Sequence, residues 1–404
     1  MAASTLVGLQ LACGDVAEGT ASDTVDGVPA RWVAWPGSTE EVSAVLRAAA
    51  GLGLRVVARG TGTRLTWGLP PTDLDLIVDL SRMDAVLAHT AGDLVVTVQA
   101  GLRMVALQDA LALRRQRLAL DGGDTLGGTV GGTIATASSG PLRYRYGSVR
   151  DLLIGITVVL ADGTVARAGG TVVKNVAGYD LGKLYTGSLG TLGVITEAVW
   201  RLHPLPETCR WITATTADPA HAAAAIAAIR ASQHDPVAIE VDRVPGDAVT
   251  VGVAVEGVAG GIGIRADAVG DLLGAAVGMP ATVAEHAPDW WGQPLPSPHA
   301  TVTCEPTGLA DLLATAPGAV RGSAGAGVLT AGLHDDDRLG AELAQLREIG
   351  RRHGGNAILR RAAPQRKATL DVWGPVPALT LMRRLKDEFD PEHRLAPGRF
   401  VGGI

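Results

Sequence analysis

Hydrophobic and polar positions change period several times along the chain, and each change marks an element. Val28 to Trp35 is an apolar run closed by Pro36 and reads as a strand. Ser38-Thr39-Glu40-Glu41 then opens a helix with a hydroxyl cap and acidic residues in its first turn. Val42, Val45, Leu46 and Ala49 form its buried face, and Gly51 and Gly53 end it. Leu54–Ala58, Leu74–Leu80 and Leu94–Val98 read as strands, with a turn holding Asp84 and His89 before the last of them. Met104–Leu113 reads as a helix. Leu152–Leu160 and the residues after Asp162-Gly163 read as a hairpin, and Gly193–Leu202 as a further strand. His203-Pro204-Leu205-Pro206 breaks the pattern and marks a domain boundary. Beyond it, His221–Ile229, Asp267–Ala275, Leu339–Arg352 and Pro377–Glu388 carry helical patterns. Val237–Val241, Val249–Val255, Val328–Leu333 and Ala357–Leu359 carry strand patterns.

One stretch departs from every period. Asp121 to Gly147 holds eight glycines, with Gly127, Gly128, Gly131 and Gly132 in two pairs. Glycine weakens helices and strands, so such a cluster needs a reason. Backbone without a Cβ can approach a flat or anionic ligand closely; tight turns between strands would collect glycines as well. Thr125 to Leu142 also lacks charge over 18 residues, but its five glycines and many hydroxyls argue against a membrane span. A second short Gly-rich turn, Arg59-Gly60-Thr61-Gly62-Thr63-Arg64, follows directly on a strand. Its amides suit an anion such as a pyrophosphate. It is neither a Rossmann fingerprint nor a P-loop, because the third glycine and any Gly-Lys-Ser/Thr are missing.

Composition narrows the picture. At 404 residues and 47% hydrophobic, the chain has room for two or three domains with sizeable cores. A net charge of -6 gives no global field favouring nucleic acid. Cys13, Cys209 and Cys304 stand far apart, without metal or redox spacing, which fits a reducing compartment and no metal site. The first basic residue is Arg31, so no secretory signal is visible, and the expectation is a cytoplasmic protein that meets a membrane only through partners.

Together these segments resemble the vanillyl-alcohol oxidase type of FAD-binding oxidoreductase, the PCMH-type fold. The resemblance covers Val28 to Pro206 and the tail Phe389 to Phe400. Its most specific run, KNVAGYDLGKLYTGSLGTLGVIT from Lys174 to Thr196, is similar to the FAD-binding subunits of bacterial glycolate oxidase and to D-2-hydroxyacid dehydrogenases. The fold it implies is α+β. An N-terminal segment (1–27) precedes a PCMH-type, two-subdomain FAD-binding domain (28–206). An α+β cap domain (207–388) follows, and the tail (389–404) returns to the FAD domain. The family's pyrophosphate loop falls on Arg59, Gly60, Thr61, Gly62, Thr63 and Arg64. Its second flavin loop falls on Asp121 to Thr136, with Gly122, Thr129, Val130, Gly131, Gly132 and Thr136. Arg143, Tyr146 and Gly147 match positions beyond that loop, and Gly190, Thr191, Gly193, Val194 and Ile195 the segment beside the adenosine half.

Three departures qualify the match. Thr63 stands where members with covalent flavin carry His, so the FAD is expected to be non-covalent. Ala396 replaces an Asn of the family tail. Arg321 to His334 lacks the paired histidines of the metal-linked hydroxyacid dehydrogenases. The function implied is an FAD-binding subunit of a glycolate (2-hydroxyacid) oxidase. Hydride would leave the substrate α-carbon for the flavin, and electrons would pass to a second flavoprotein and an iron–sulfur subunit. A free-standing FAD-dependent 2-hydroxyacid or alcohol dehydrogenase and a flavin-holding assembly subunit without turnover are the alternatives. Arg143, Arg145 and Arg366 are candidates to hold a substrate carboxylate, and His334 a candidate base; a surface ion pair is the competing reading for each. Trp290 and Trp291, in a Pro-rich loop, suit either a docking patch or a wedged, buried role.

Overall fold

Alternation along the strands decides which side chains reach the interior and which reach the site. The computed structural model describes residues 2–172 and 178–404, so Lys174 to Ala177 of the motif above lie outside the described residues. Val194–Arg201 is the central strand of a five-stranded antiparallel sheet, and its Ala198 and Trp200 are fully buried. The sheet runs Val165–Gly169, Leu153–Val159, Val194–Arg201, Val95–Gln99, Val86–Thr90. A four-stranded sheet runs Val16–Glu18, Trp32–Ala34, Leu76–Asp79, Val56–Arg59, with the last three parallel. Helix Thr39–Gly51 packs on the first sheet through Val42, Val45, Leu46 and Ala49. Ser38 caps it, accepting from the Glu41 amide at 3.2 Å, and Glu41 accepts from the Gly37 amide at 2.7 Å.

Three sequence expectations change here. The stretch read as a turn around His89 is the edge strand Val86–Thr90; nearly all of it is exposed, so it shows no alternation to read. The Asp121 loop contains short helices, Gly123–Leu126, Val130–Thr136 and Arg143–Tyr146. Thr129 caps the second of these, accepting from the Gly132 amide at 3.2 Å. The N-terminal segment is not separate either, because Val16–Glu18 pairs with Trp32–Ala34.

The second half is an eight-stranded antiparallel sheet. Its order is Thr282–Ala284, Thr208–Thr216, Val249–Gly257, Ala238–Arg243, Val320–Ser323, Val328–Gly332, His299–Thr303, Ala357–Arg361. Helices Pro219–Ala231, Ala259–Val277, Leu309–Thr315 and Leu339–Arg352 cover one face, whose core includes Ile239, Val241, Ala300, Val302, Leu329, Ala331 and Leu359. Period-2 alternation turns the intervening residues the other way, toward the FAD-binding half: Glu240, His299, Thr301, Thr330 and Arg360. Trp290 and Trp291 are half-buried, and a Cβ at Gly252 would lie within 2.9 Å of both indoles, so the pair is wedged onto this sheet.

The C-terminal tail returns to the first half. The Val56 amide donates to the Arg394 carbonyl and the Ala396 amide to the Val56 carbonyl, each at 2.8 Å. Arg399 donates to the carbonyls of Leu65 and Trp67, at 2.8 and 2.9 Å, fastening the tail beside the Gly60 turn.

Candidate functional site

Two cavities meet at Thr136. The first is lined by Gly60 to Leu65, Gly128, Thr129, Gly132, Leu189 and Arg399. Among the described residues, the amides of residues 60–64 donate no hydrogen bond within the protein, so the turn presents a row of unpaired N–H groups to this cavity. Two buried guanidiniums add positive charge. Burial brings both Arg64 and Arg399 down to about 10, where they remain cationic at neutral pH. Arg64 donates to Thr136 Oγ1 at 2.8 Å and to the Gly132 carbonyl at 3.3 Å, and among the described residues neither arginine has a carboxylate at salt-bridge distance. The glycines divide their work. A Cβ on Gly60 would strike the Thr129 side chain at 2.4 Å, and one on Gly128 the Arg64 guanidinium at 2.3 Å. A Cβ on Gly131 would meet Ala100 at 2.9 Å, so that glycine packs the loop onto the sheet, while Gly132 faces the cavity.

The second cavity, of about 350 Å³, lies between the FAD-binding half and the bare face of the eight-stranded sheet. Trp67, Asp121, Gly122, Thr136 and Arg143 wall it from one side, and Glu240, His299, Thr301, Arg321 and Arg360 from the other. Arg360 lies over the Trp67 ring, its guanidinium carbon 5.0 Å from the centroid, and donates to Thr301 Oγ1 at 3.1 Å. Arg143 donates to Ser139 Oγ at 2.6 Å. Burial lowers both arginines, and Arg143 adds to the effect on Arg360, which comes to about 10. The carboxyls move the opposite way. Burial lifts Asp121 to about 6, and burial with Asp121 nearby raises Glu240 well above the usual range, against the pull of Arg143. Glu240 is 2% exposed, and its Oε1 has no hydrogen-bond partner among the described residues.

Several residues singled out from the sequence sit elsewhere. Arg59 is engaged by Asp79 at 2.6 Å and Asp23 at 2.8 Å, so its charge is already neutralised. Tyr146 accepts from Arg117 and donates to Glu256, both at 2.9 Å, in a latch between the two halves; Gly147 turns the chain there with φ +84. Val194 and Ile195 belong to the core, and Gly190, Gly193, Val194 and Ile195 line neither cavity. Val130 is buried in the same core. Arg145 pairs with Asp235. Arg366 pairs at the surface with Asp337 at 3.1 Å and Asp335 at 3.7 Å, and His334 with Glu342 at 2.7 Å. Neither Arg366 nor His334 lines either cavity; Asp335 and Asp337 engage Arg366 and Glu342 engages His334 away from both. Arg143 alone of the three expected catalytic residues reaches the site. Sequence reasoning missed Trp67, Glu240, His299 and Arg360. The one available signal was polar residues at alternate positions in otherwise apolar strand runs.

Residues 30–169 match the family model for the FAD binding domain. Residues 30–169 form an FAD binding domain of that family. The chain is 36% identical over 205 residues to the glycolate oxidase subunit GlcD of Bacillus subtilis, covering 51% of this chain and 44% of that protein. It is 38% identical over 172 residues to a D-lactate dehydrogenase of Archaeoglobus fulgidus, 42% and 38% of the two chains. With a D-2-hydroxyglutarate dehydrogenase of Xanthomonas citri it shares 36% identity over 174 residues, 43% and 37%. The chain thus spans less than half the length of these relatives. Solved structures of alkyldihydroxyacetonephosphate synthase superpose over 92% of the flavoprotein and 76% of their own chain, with TM-score 0.68 and 18% identity, a likeness of fold. FAD is the cofactor, and the first cavity suits it: unpaired amides and two carboxylate-free arginines for the pyrophosphate, with glycine where a Cβ would close the space. Among the described residues, no helix is long and apolar enough to cross a membrane, and no group of three or more His, Cys, Asp or Glu is placed to hold a metal ion.

Proposed function

We propose that this flavoprotein is an FAD-binding subunit of a glycolate oxidase-like assembly that oxidises a small 2-hydroxy acid in the second cavity. The observation that carries this reading is the pair Arg143 and Arg360. Both face a cavity that shares Thr136 with the FAD cavity, and neither has a carboxylate at salt-bridge distance among the described residues. Partly buried cations without counterions carry a desolvation cost, and a carboxylate from the substrate supplies the missing charge through paired N–H donors. Ser139 holds Arg143, and the Trp67 face supports Arg360, so both guanidiniums are set before a ligand enters. The cap sheet covers the acid and excludes water. When bound, the flavin supplies the hydride acceptor. The FAD is held without a covalent bond, Thr63 standing where a linking His would be.

Onward transfer calls for partners. Three widely spaced cysteines cannot supply the usual four-thiolate ligand set of an iron–sulfur cluster. A second flavoprotein and an iron–sulfur subunit are the partners this chemistry requires.

The test is purification of the chain with whatever accompanies it, then assay of the complex with glycolate and a dye acceptor. Arg143→Ala and Arg360→Ala should each raise KM about 10–100-fold, the worth of a hydrogen bond to a charged group. KM unchanged in both variants would put the acid-binding site outside this chain. Multiple turnovers by the purified chain alone would favour a free-standing dehydrogenase.

A further inference from the structure

We propose that His299 is the catalytic group that takes the hydroxyl proton of the substrate, through Nε2. The inference rests on the reading of the second cavity as a 2-hydroxyacid site. His299 opens the cap strand His299–Thr303, is 3% exposed, and lines that cavity together with Arg143 and Arg360. Its Nδ1 lies 3.1 Å from the carbonyl oxygen of Pro296, which accepts and cannot donate. Nδ1 therefore carries the ring proton, and Nε2 keeps its lone pair. Nε2 has no partner among the described residues. An imidazole held in one tautomer, on a cavity that Arg143 and Arg360 also line, is built to accept a proton from a neighbouring hydroxyl.

The other titratable groups of the cavity fit the role less well. Burial, with Asp121 nearby, pushes the Glu240 carboxyl well above its usual range, which favours the form that already holds a proton. Asp121 uses Oδ1 to accept from the Leu142 amide at 3.0 Å. The charged groups facing the His299 ring are Arg360 and Arg361 on the adjacent strand Ala357–Arg361 and Asp124 on helix Gly123–Leu126. Burial, the largest influence, and the two arginines keep the ring neutral, while the Pro296 carbonyl and Asp124 pull the other way; the net shift is below the ordinary histidine value. In the step itself, the O–H bond breaks and its proton passes to Nε2. The α-C–H bond breaks, and its hydrogen leaves with two electrons as hydride, for which bound FAD would supply the acceptor. The C–O bond becomes a carbonyl, giving the 2-oxo acid, and the imidazolium releases its proton to water.

Two measurements test this. In the complex with its copurifying partners, His299→Gln should cut kcat with glycolate by about 10²–10⁴-fold, with KM little changed. The wild-type rate should fall as the ring protonates at low pH, and the variant should lose that limb. The second readout needs no turnover: ring ¹⁵N shifts of the FAD-loaded chain, assigned by comparison with His299→Gln, should show Nδ1 protonated and Nε2 bare at pH 7. A protonated Nε2 there overturns the proposal. If Arg143→Ala impairs the complex but His299→Gln keeps the wild-type rate and pH profile, His299 is excluded while the acid site stands. The same holds if Asp121→Asn alone removes the low-pH limb. If Arg143→Ala leaves KM unchanged and His299→Gln leaves kcat unchanged, the reading of the cavity falls and this inference with it.

Discussion

Gly60→Ala perturbs the first cavity without touching a polar group. Gly60 does not have a positive φ, so alanine adds no backbone strain, and only its Cβ matters. That carbon would lie 2.4 Å from Thr129 Oγ1 and 2.7 Å from its Cγ2. Thr129 cannot rotate away freely, because its Oγ1 caps helix Val130–Thr136 through the Gly132 amide at 3.2 Å. Losing such a cap costs about 1 kcal/mol, and forcing a methyl into a packed contact about 1–3 kcal/mol. The variant should therefore be destabilised by roughly 2–4 kcal/mol and retain less FAD, since the displaced turn carries the unpaired amides. Thr129→Ala supplies the control. It removes both clashing atoms and leaves the Thr129 Cβ contact at 3.1 Å. On that background Gly60→Ala should cost about 1 kcal/mol or less, so the double-mutant cycle should show a coupling of about 1–3 kcal/mol. Urea denaturation followed by circular dichroism reads the stability, and flavin absorbance after desalting reads retention. Equal costs of Gly60→Ala in both backgrounds would refute the steric argument.

Two further outcomes follow from the same geometry. Glu240 binds its proton more tightly folded than unfolded, so its contribution to stability falls as pH rises above its unfolded value, 4.5, and through the raised folded one. Glu240→Gln, which mimics the neutral carboxyl, should gain stability over the wild type at pH 8 and much less at pH 5; a gain independent of pH in thermal melts would contradict this. Acid precipitation should release all the yellow chromophore, because Thr63 offers no imidazole for a covalent link; colour pelleting with the protein would show the link exists.

Local signals were enough for the elements whose boundaries lie in neighbouring residues. Ser38 with Glu41 announces helix Thr39–Gly51, and the spacing of Leu343, Leu346 and Ile349 announces Leu339–Arg352, which the structure reproduces to the residue. The Gly60 turn was legible because glycines alternating directly after a strand weaken its continuation and permit turn conformations that other residues avoid. Helix Ala259–Val277 was seen only over its second half, since Gly260, Gly261 and Gly263 hide its start. The exposed edge strand Val86–Thr90 has no buried face and so no period to detect.

The second cavity shows where local reading ends. Arg366 and His334 were drawn from basic and histidine-bearing stretches, but Asp335 and Asp337 engage the first and Glu342 the second outside the cavity. Arg360, in the same basic stretch as Arg366, faces the cavity because alternation in Ala357–Arg361 turns it away from the core that takes Leu359. The sequence by itself determined the periods, the caps and the Gly-rich turns, because each rests on residues a few positions apart. Only the tertiary structure decided that Trp67, Arg143, Glu240, His299 and Arg360 share one wall-to-wall space. That depends on which strand lies beside which and on how the cap sheet closes over the FAD-binding half. Such pairings are made by contacts remote along the chain, and no local pattern encodes them.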